Sequence, residues 1–519
     1  MGRAAGGGLS WMLVATVVSK LATSITQFLL GWWLLPEHFA RFAIATTVAG
    51  LLMLAKDGGL PSLLTRGGPE QYPRLSGPSF WMCLAYNTGA ALVMAAAAWP
   101  ISTLVYQDSK LAPMLWVMAI SLPLGTSASI LQSKLRLDLR FRDYALLITL
   151  SGLLRQVLTI VLAKMHFEEM SLAAPVVLTA IFDSIAAWYV CSDKPWRRPA
   201  VLAMWGKLFS QTKWLINGCV AAFTTEWGPY LALGLLLTRD KTGYYFFAYQ
   251  ITAQIGMLLQ YNLNVVLLPV LARLNDQPER QRDAFLRLLR GLTLVGSFLS
   301  LSVAVIISPL EHLLWHGKWA PAVAAVIIFG IFYPWRVSVA LTSAVLMAQG
   351  RFKRFAGTAW FEGITLTVVV AIAAWYTREL VPVAICSGLA ILITRLLVTL
   401  HVCRMFGIPG LSTINAMFTG WIISLVAAAP AFALDQFFNW TFYVKDRLPA
   451  SLSPVVREGV VDAVRCAAAG SIFCLAFLIL AGVFLRTDVL EAVKLVPVRV
   501  RRPVSRLLRL GSTAPISSG

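Results

Sequence analysis

The chain has 519 residues, 58% of them hydrophobic and 13% charged, with a mean hydropathy of +0.72 and a formal charge of +20. A soluble domain is nearer a quarter charged, so a soluble core wrapped in a polar surface is excluded, and the class is a polytopic membrane protein. A nucleic-acid reading of the charge would need basic residues gathered on one soluble face, and the placement of these residues along the chain follows a different rule.

At the N-terminus only Arg3 precedes the first apolar run, which continues to Leu35. A signal-peptide core is about 7–15 residues and ends at a small-residue cleavage site, so this run reads as a retained first helix. A bilayer core needs roughly 20 apolar residues per helix. With that ruler the chain divides into about fourteen spans: 10–35, 39–64, 80–105, 111–133, 144–163, 170–191, 213–237, 243–270, 291–310, 321–348, 355–376, 380–400, 414–434 and 459–485. Closed barrels use strands of about 10 residues with alternating polarity, and these runs are too long and uniform for that. The predicted fold is an all-α bundle.

The second span carries LLMLAKDGGLPSLLTR at 51–66. Lys56 and Asp57 are adjacent, and adjacent helical positions do not face each other, so each needs its own surroundings. On one reading Lys56 snorkels to the inner surface and Gly58, Gly59 and Pro61 bend the helix as it leaves the membrane. On the other, an unwound hinge lines an inward-facing mouth and Asp57 holds an ion or an arginine.

With the N-terminus cytoplasmic, the inner loops take about 28 of the 44 Lys and Arg residues, counting the tail from Arg486 to Arg509. That bias places both termini in the cytoplasm and accounts for most of the net charge, so nucleic acid is not required as a partner. In the inner loops, PERQRDAFLRLLR at 278–290 sets Phe285, Leu288 and Leu289 against arginines, a pattern suited to the inner headgroups. The seven cysteines lie in or beside apolar segments and form no disulfide framework or CxxC pair. His312 and His316 have a zinc-compatible spacing, but no third ligand is assignable, and Trp315 and Trp319 beside them read as an interfacial aromatic belt; no metal is expected.

Four ionisable residues fall near mid-span: Lys20, Arg155, Glu226 and Arg336. Each costs about 2.5–3.5 kcal/mol at a helix centre, so by default each faces a cavity or a partner. Three cations and one anion would make a net positive cavity that focuses field on an anionic ligand, with Glu226 as the ion-coupling or pairing group. Interhelical ion pairing is the competing reading for all four. Arg336 follows Pro334, where the backbone ladder is already weakened. Asp183, Glu362 and Arg395 sit in inner thirds and read as gate or interfacial pairs.

An internal repeat organises the chain. GWWLLPEHFARFAIA at 31–45 aligns with GLLLTRDKTGYYFFA at 234–248, matching Gly31 with Gly234, Leu34 with Leu237, Glu37 with Asp240, Phe42 with Tyr245 and Ala45 with Ala248. Six spans separate the copies, so both have the same orientation. Parallel repeats of this kind predict two pseudo-symmetric six-helix bundles about an axis along the membrane normal, at 1–205 and 206–405. Two additional helices follow within 406–485, then a basic cytoplasmic tail, 486–519.

LLPEHFARFAIATTVAGLLMLAKDGGLPSLLTR resembles the opening of bacterial polysaccharide flippases of the multidrug/oligosaccharidyl-lipid/polysaccharide exporter superfamily, in Leu35-Pro36-Glu37, Phe42-Ala43, and Asp57 with Gly59 and Leu60. LPVLARLNDQPERQRDAFLRLLR and HGKWAPAVAAVIIFGIFYPWRVSVALTSAVLMAQGRFKR resemble the family's inner basic helix, its Gly-x-x-Trp segment and its Ala-x-Gly-Arg loop. The similarity runs from about residue 10 to about residue 405. It implies a non-enzymatic flippase that moves a lipid-linked oligosaccharide, on undecaprenyl pyrophosphate, from the inner to the outer leaflet of the bacterial inner membrane. Alternating access with Na+ or H+ coupling would drive it during exopolysaccharide or O-antigen synthesis. Its partners would be membrane lipid, a polysaccharide polymerase and glycosyltransferases, and the protein would be a monomer without a cofactor. It also implies a cationic central cavity, which Lys20 and Lys56 fit by span.

Two alternatives remain at this stage: an ion-coupled drug or metabolite antiporter of the same superfamily, and a non-transporting scaffold of a polysaccharide assembly complex. An ATP-driven pump is excluded by the lack of GxxxxGK[ST]. A membrane enzyme needs converging catalytic groups; the longest outer loop, about 435–458, offers only scattered acids.

Overall fold

The computed structural model describes residues 2–53, 60–254, 278–438, 440, 444, 449 and 453–484, and helices account for most of these residues. No strand occurs among the described residues. Nine helices among them are long and apolar enough to cross a membrane, or ten if one bent pair is a single span. The all-α polytopic class expected from composition is the observed one.

The helices, in chain order, are α1 (Gly2–Trp33), α2 (Pro36–Met53), α3 (Leu60–Pro100), α4 (Leu111–Leu124), α5 (Thr126–Leu137), α6 (Phe141–Lys164), α7 (Met170–Cys191), α8 (Trp205–Leu236), α9 (239–254), α10 (Pro278–Trp315), α11 (Ala320–Phe332), α12 (Ser338–Ala348), α13 (Phe352–Thr377), α14 (Leu380–Met405), α15 (Gly410–Phe437) and α16 (Pro454–Phe484). Contacts divide the chain into two compact units, Met1–Gln254 with Gly350–Ala390, and Ile255–Gln349 with Ile391–Gly519.

In the first unit α1 packs on α6, α3 on α4 and α5, α6 on α7, and α13 along α8. Small residues allow the closest approaches, as expected where lipid gives no hydrophobic drive between helices. Gly363 on α13 lies against Thr225, and Thr225 Oγ1 donates to the Ala359 carbonyl at 3.2 Å. One core gathers Ile44, Ala45 and Ala49 of α2, Ala90 and Met94 of α3, and Leu115, Met118 and Leu122 of α4. Between α4 and α5 the chain bends by 45° at Gly125, after Pro123. Ser184 Oγ donates to the Leu124 carbonyl, so a polar neighbour takes up a backbone group at the break, and beside it Asn87 Nδ2 donates to Thr126 Oγ1 at 2.8 Å.

The sequence placed a loop over residues 65–79, but α3 runs unbroken through it, with prolines at 69, 73 and 78. Tyr72 and Phe80 explain the continuation: both are buried in a cluster with Leu60, Leu64, Ile130 and Leu208.

In the second unit α10 packs on α11, α15 and α16. Its core joins Leu301 and Val305 to Ala427, Ala431, Phe473 and Phe477, with Phe298 stacked 5.5 Å from Phe473. The amphipathic segment 278–290 is not a separate surface helix. It is the first part of α10, and Phe285 and Leu289 are buried in protein rather than laid on headgroups. Trp315 and Trp319 are buried as well, unlike an interfacial belt. Glu311 Oε1 accepts the Trp319 backbone N–H at 2.8 Å, closing a turn in which Gly317 has φ +88°. Gly350, in the Ala-x-Gly-Arg loop after α12, has φ +67°, a conformation glycine adopts without a Cβ clash.

The repeat has a direct structural counterpart. α1 ends at Trp33 and α2 begins at Pro36; α8 ends at Leu236 and α9 begins at residue 239, the same break displaced by the sequence offset. The first turn is tightened by His38, whose Nδ1 accepts the Leu35 N–H at 3.2 Å.

Candidate functional site

Lys20 sits on α1, half-buried, and the carboxylate whose charge acts on it is Glu226 of α8. Glu226 is also half-buried, and its Oε2 accepts a hydrogen bond from the Tyr249 hydroxyl of α9 at 3.1 Å. Tyr249 is held by its neighbours: it stacks parallel to Tyr245, one helical turn away, at 6.4 Å and meets Tyr230 edge-on. Tyr230 in turn packs on Trp227 at 5.8 Å. One acid is thus set among aromatic rings, with one amine nearby, inside otherwise apolar helices.

The α1–α6 contact extends this polar strip. Gln156 Nε2 donates to Thr23 Oγ1 at 3.2 Å, and Gly152 leaves room for Ser19. Arg155, beside Gln156, is exposed, and Asp183 of α7 is an anion that acts on it. Arg336 belongs to the second unit. It lies in the 3-10 turn Tyr333–Val337 between α11 and α12, buried to 3% exposure, with its guanidinium 5.8 Å from the Tyr333 ring. The irregular backbone expected after Pro334 is therefore present. Of the expected site residues, the structure brings together Lys20 and Glu226. Pro61 is the second residue of α3. Lys56, Asp57, Gly58 and Gly59 lie outside the described residues, as do the stretch 255–277 and the tail 486–519.

Sequence reasoning missed Tyr249, whose role depends on α9 folding back beside α8. It also missed an ion cluster in the short turns at one end of the first unit. Asp108 Oδ2 accepts from Arg41 Nε at 2.9 Å and lies 3.3 Å from Arg239 Nε. Arg41 also reaches Glu37 at 3.1 Å and Glu169 at 3.4 Å, and Lys110 reaches Glu168 at 2.7 Å. The available signal was acids recurring at short helix breaks, at Glu37, Asp108 and Glu168 with Glu169.

Within that cluster His38 Nε2 stands 3.7 Å from Glu169 and 3.9 Å from Glu168, a trio close enough to suggest a metal. The ring argues against it. Nδ1 accepts the Leu35 N–H, so Nε2 carries the proton and has no lone pair for an ion. The carboxylates are already matched by Arg41 and Lys110. The Lys110 hydrogen bond holds the Glu168 carboxyl below its ordinary range.

The long apolar helices, the paired charges inside them and the repeated helix–break–helix units define a multi-pass membrane protein with a transporter-like fold. The profile of the family described as "Polysaccharide biosynthesis protein" matches residues 29–324, and the chain belongs to that family. It is 24% identical over 314 residues to the succinoglycan biosynthesis transport protein ExoT of Rhizobium meliloti (strain 1021), a match covering 59% of this chain and 62% of that relative. Among solved structures it resembles the lipid II flippase MurJ in an inward closed conformation, with a TM-score of 0.65 and 13% identity over 92% of this chain and 98% of the other. It also resembles an inward-facing multidrug resistance MATE transporter of the MOP superfamily, with a TM-score of 0.62 and 13% identity over 77% of this chain and 98% of the other. At these identities the structural likeness defines the fold.

Proposed function

We propose that this protein flips a lipid-linked oligosaccharide, carried on a polyprenyl pyrophosphate such as undecaprenyl pyrophosphate, from the inner to the outer leaflet of a bacterial inner membrane by alternating access. The observation that carries the reading is an amine and a carboxylate, Lys20 and Glu226, set in apolar helices of a chain from a polysaccharide biosynthesis family. Such groups are costly in lipid unless they serve a pathway or a partner. In this reading Lys20, Arg155 and Arg336 attract the pyrophosphate head while the polyprenyl chain stays in lipid. Glu226 and Asp57 are the coupling or pairing acids for Na+ or H+, and the stretch from Lys56 to Pro61 is an inner hinge. The two bundles at 1–205 and 206–405 rock about the path, both termini are cytoplasmic, and a polymerase and glycosyltransferases act on either side of the transport step. The resemblance to a transporter whose name refers to succinoglycan biosynthesis supports exopolysaccharide over O-antigen as the product.

The test is a deletion strain analysed for the lipid-linked intermediate that accumulates on the inner leaflet. Build-up of one undecaprenyl-linked oligosaccharide, reversed by the wild-type gene, is expected. Accumulation of none would turn the reading to the antiporter, which the single acid held by Tyr249 would also suit as a proton site. Loss of flipping in Arg336→Ala with normal membrane insertion would count against a scaffold.

A further inference from the structure

The ion cluster lies across a seam. By the sequence repeat, α1 and α2 open one copy and α8 and α9 open the next. Along the seam Gly243 of α9 faces the Pro36 carbonyl, Gly234 of α8 faces Ile44 and Tyr106, and Gly50 of α2 faces the Phe223 ring. Thr47 Oγ1, fully buried, lies 3.4 Å from the Trp227 carbonyl. At the end of this seam Asp108 receives one guanidinium from each copy, Arg41 from α2 and Arg239 from α9. Arg239 is fixed further, donating to the Gly234 carbonyl at 2.8 Å and to the Tyr106 carbonyl, and lying over the Tyr106 ring. The side chains of Arg41 and Asp108 are only 11% and 10% exposed.

We propose that Asp108, shared between Arg41 and Arg239, is an ionic latch that holds the outer end of the transport path shut. The inference rests on the alternating-access reading and on the cytoplasmic placement of both termini, which puts these turns outside. The chemistry suits a latch better than permanent glue. Charge-assisted hydrogen bonds are strong in a nearly dry seam, and when the helices part, water solvates every group that loses its partner. The apolar contacts beside them have no such replacement. Without the Asp108 charge, Arg41 keeps Glu37 and Glu169, while Arg239 loses the carboxylate that ties it across the seam, so one substitution removes the ionic attraction between the copies.

The test reads access and needs no substrate. In a cysteine-free background, Thr47→Cys reports the buried seam. Phe167→Cys, 49% exposed in the turn after α6, reports the same end of the protein. A membrane-impermeant maleimide is added to intact cells. Phe167→Cys should label from outside in every variant, which verifies insertion and orientation. Thr47→Cys should label slowly in the parent, about tenfold faster with Asp108→Asn and faster with Arg239→Gln, within the 5- to 150-fold range of ordinary conformational coupling. Arg239→Lys, which keeps the charge, should restore much of the closure. If Asp108→Asn does not reach the membrane, Arg239→Gln carries the comparison. Parent-like labelling in an inserted latch variant overturns the proposal, as does labelling of Phe167→Cys only from the cytoplasmic face. Because lipid intermediates are measured separately, a closed seam with defective flipping refutes the latch and leaves the flippase reading standing.

Discussion

Gly243→Ala should force the same seam open without touching a charge. A Cβ at this position would lie 2.9 Å from Pro36 Cα and closer still to the Pro36 carbonyl, against the 3.4 Å or more of ordinary contact. These are backbone atoms of the helix start, which cannot swing aside as a side-chain tip can, so α9 and α2 must part by about an ångström. Overpacking of this kind costs about 1–3 kcal/mol. The cost falls on the closed seam alone, since parted helices leave the methyl group in open space. Every 1.4 kcal/mol is a factor of ten, so the open form should gain roughly 5- to 150-fold in population. The assay is the labelling rate of Thr47→Cys from outside, normalised to Phe167→Cys. Gly291→Ala on α10 is the control: among the described residues nothing lies within 4 Å of its Cβ position, so that variant should leave the labelling rate at the parent value. If Gly243→Ala also labels at the parent rate while remaining inserted, the seam is not what separates the path from the outside.

Three further outcomes follow from the same geometry. Lys20→Met or Glu226→Gln alone should abolish flipping and leave the lipid intermediate on the inner leaflet, while the double variant should insert better than either single one; an unmatched charge costs about 2.5–3.5 kcal/mol at mid-membrane. Full complementation by Lys20→Met would remove that lysine from the path. Glu311→Ala strips the acceptor from the buried Trp319 N–H, a loss of about 1–3 kcal/mol. It should lower the midpoint of thermal unfolding in detergent, with Glu311→Gln milder; an unchanged midpoint would show that the turn holds without it. His38 should make the seam sensitive to pH. Burial holds its imidazole below the ordinary 6.5, against the pull of Glu169 and Glu168 and with Arg41 and Lys110 also opposing the charge. His38 precedes Phe39, which packs on Phe246 and Phe247 of α9, so parting α2 from α9 lets water reach the imidazole. A hydrated ring titrates nearer 6.5, so the open form binds the proton first. Closure is at full strength above about pH 6.5 and weakens as pH falls from there through the closed-form value. Normalised labelling of Thr47→Cys should therefore rise from about pH 7 to about pH 5.5, and His38→Gln should flatten the rise; a flat parent profile would refute it.

What could be read from the sequence and what could not divide along one physical line. Span length is a local property, because each helix must satisfy its own backbone in lipid, so the helical class and the repeat were legible: the break at Trp33–Pro36 recurs at Leu236 and residue 239. The same local logic misplaced a loop in α3. Prolines and charges at its start looked like an exit from the membrane, but Tyr72 and Phe80 have a core to enter, and packing outweighs propensity. Lys20 and Glu226 were legible as costly charges; that each acts on the other, and that Tyr249 holds the acid, depends on which helices become neighbours. The latch is the extreme case. Arg41, Asp108 and Arg239 lie singly in turns far apart in the chain, and no spacing rule links them. What links them is that two copies of one helix pair meet at one end. There, glycines let backbones touch, water is squeezed out, and any charge left in the seam has to find an opposite. That requirement acts only while the seam is closed, so the residues that satisfy it are the ones placed to sense whether it is.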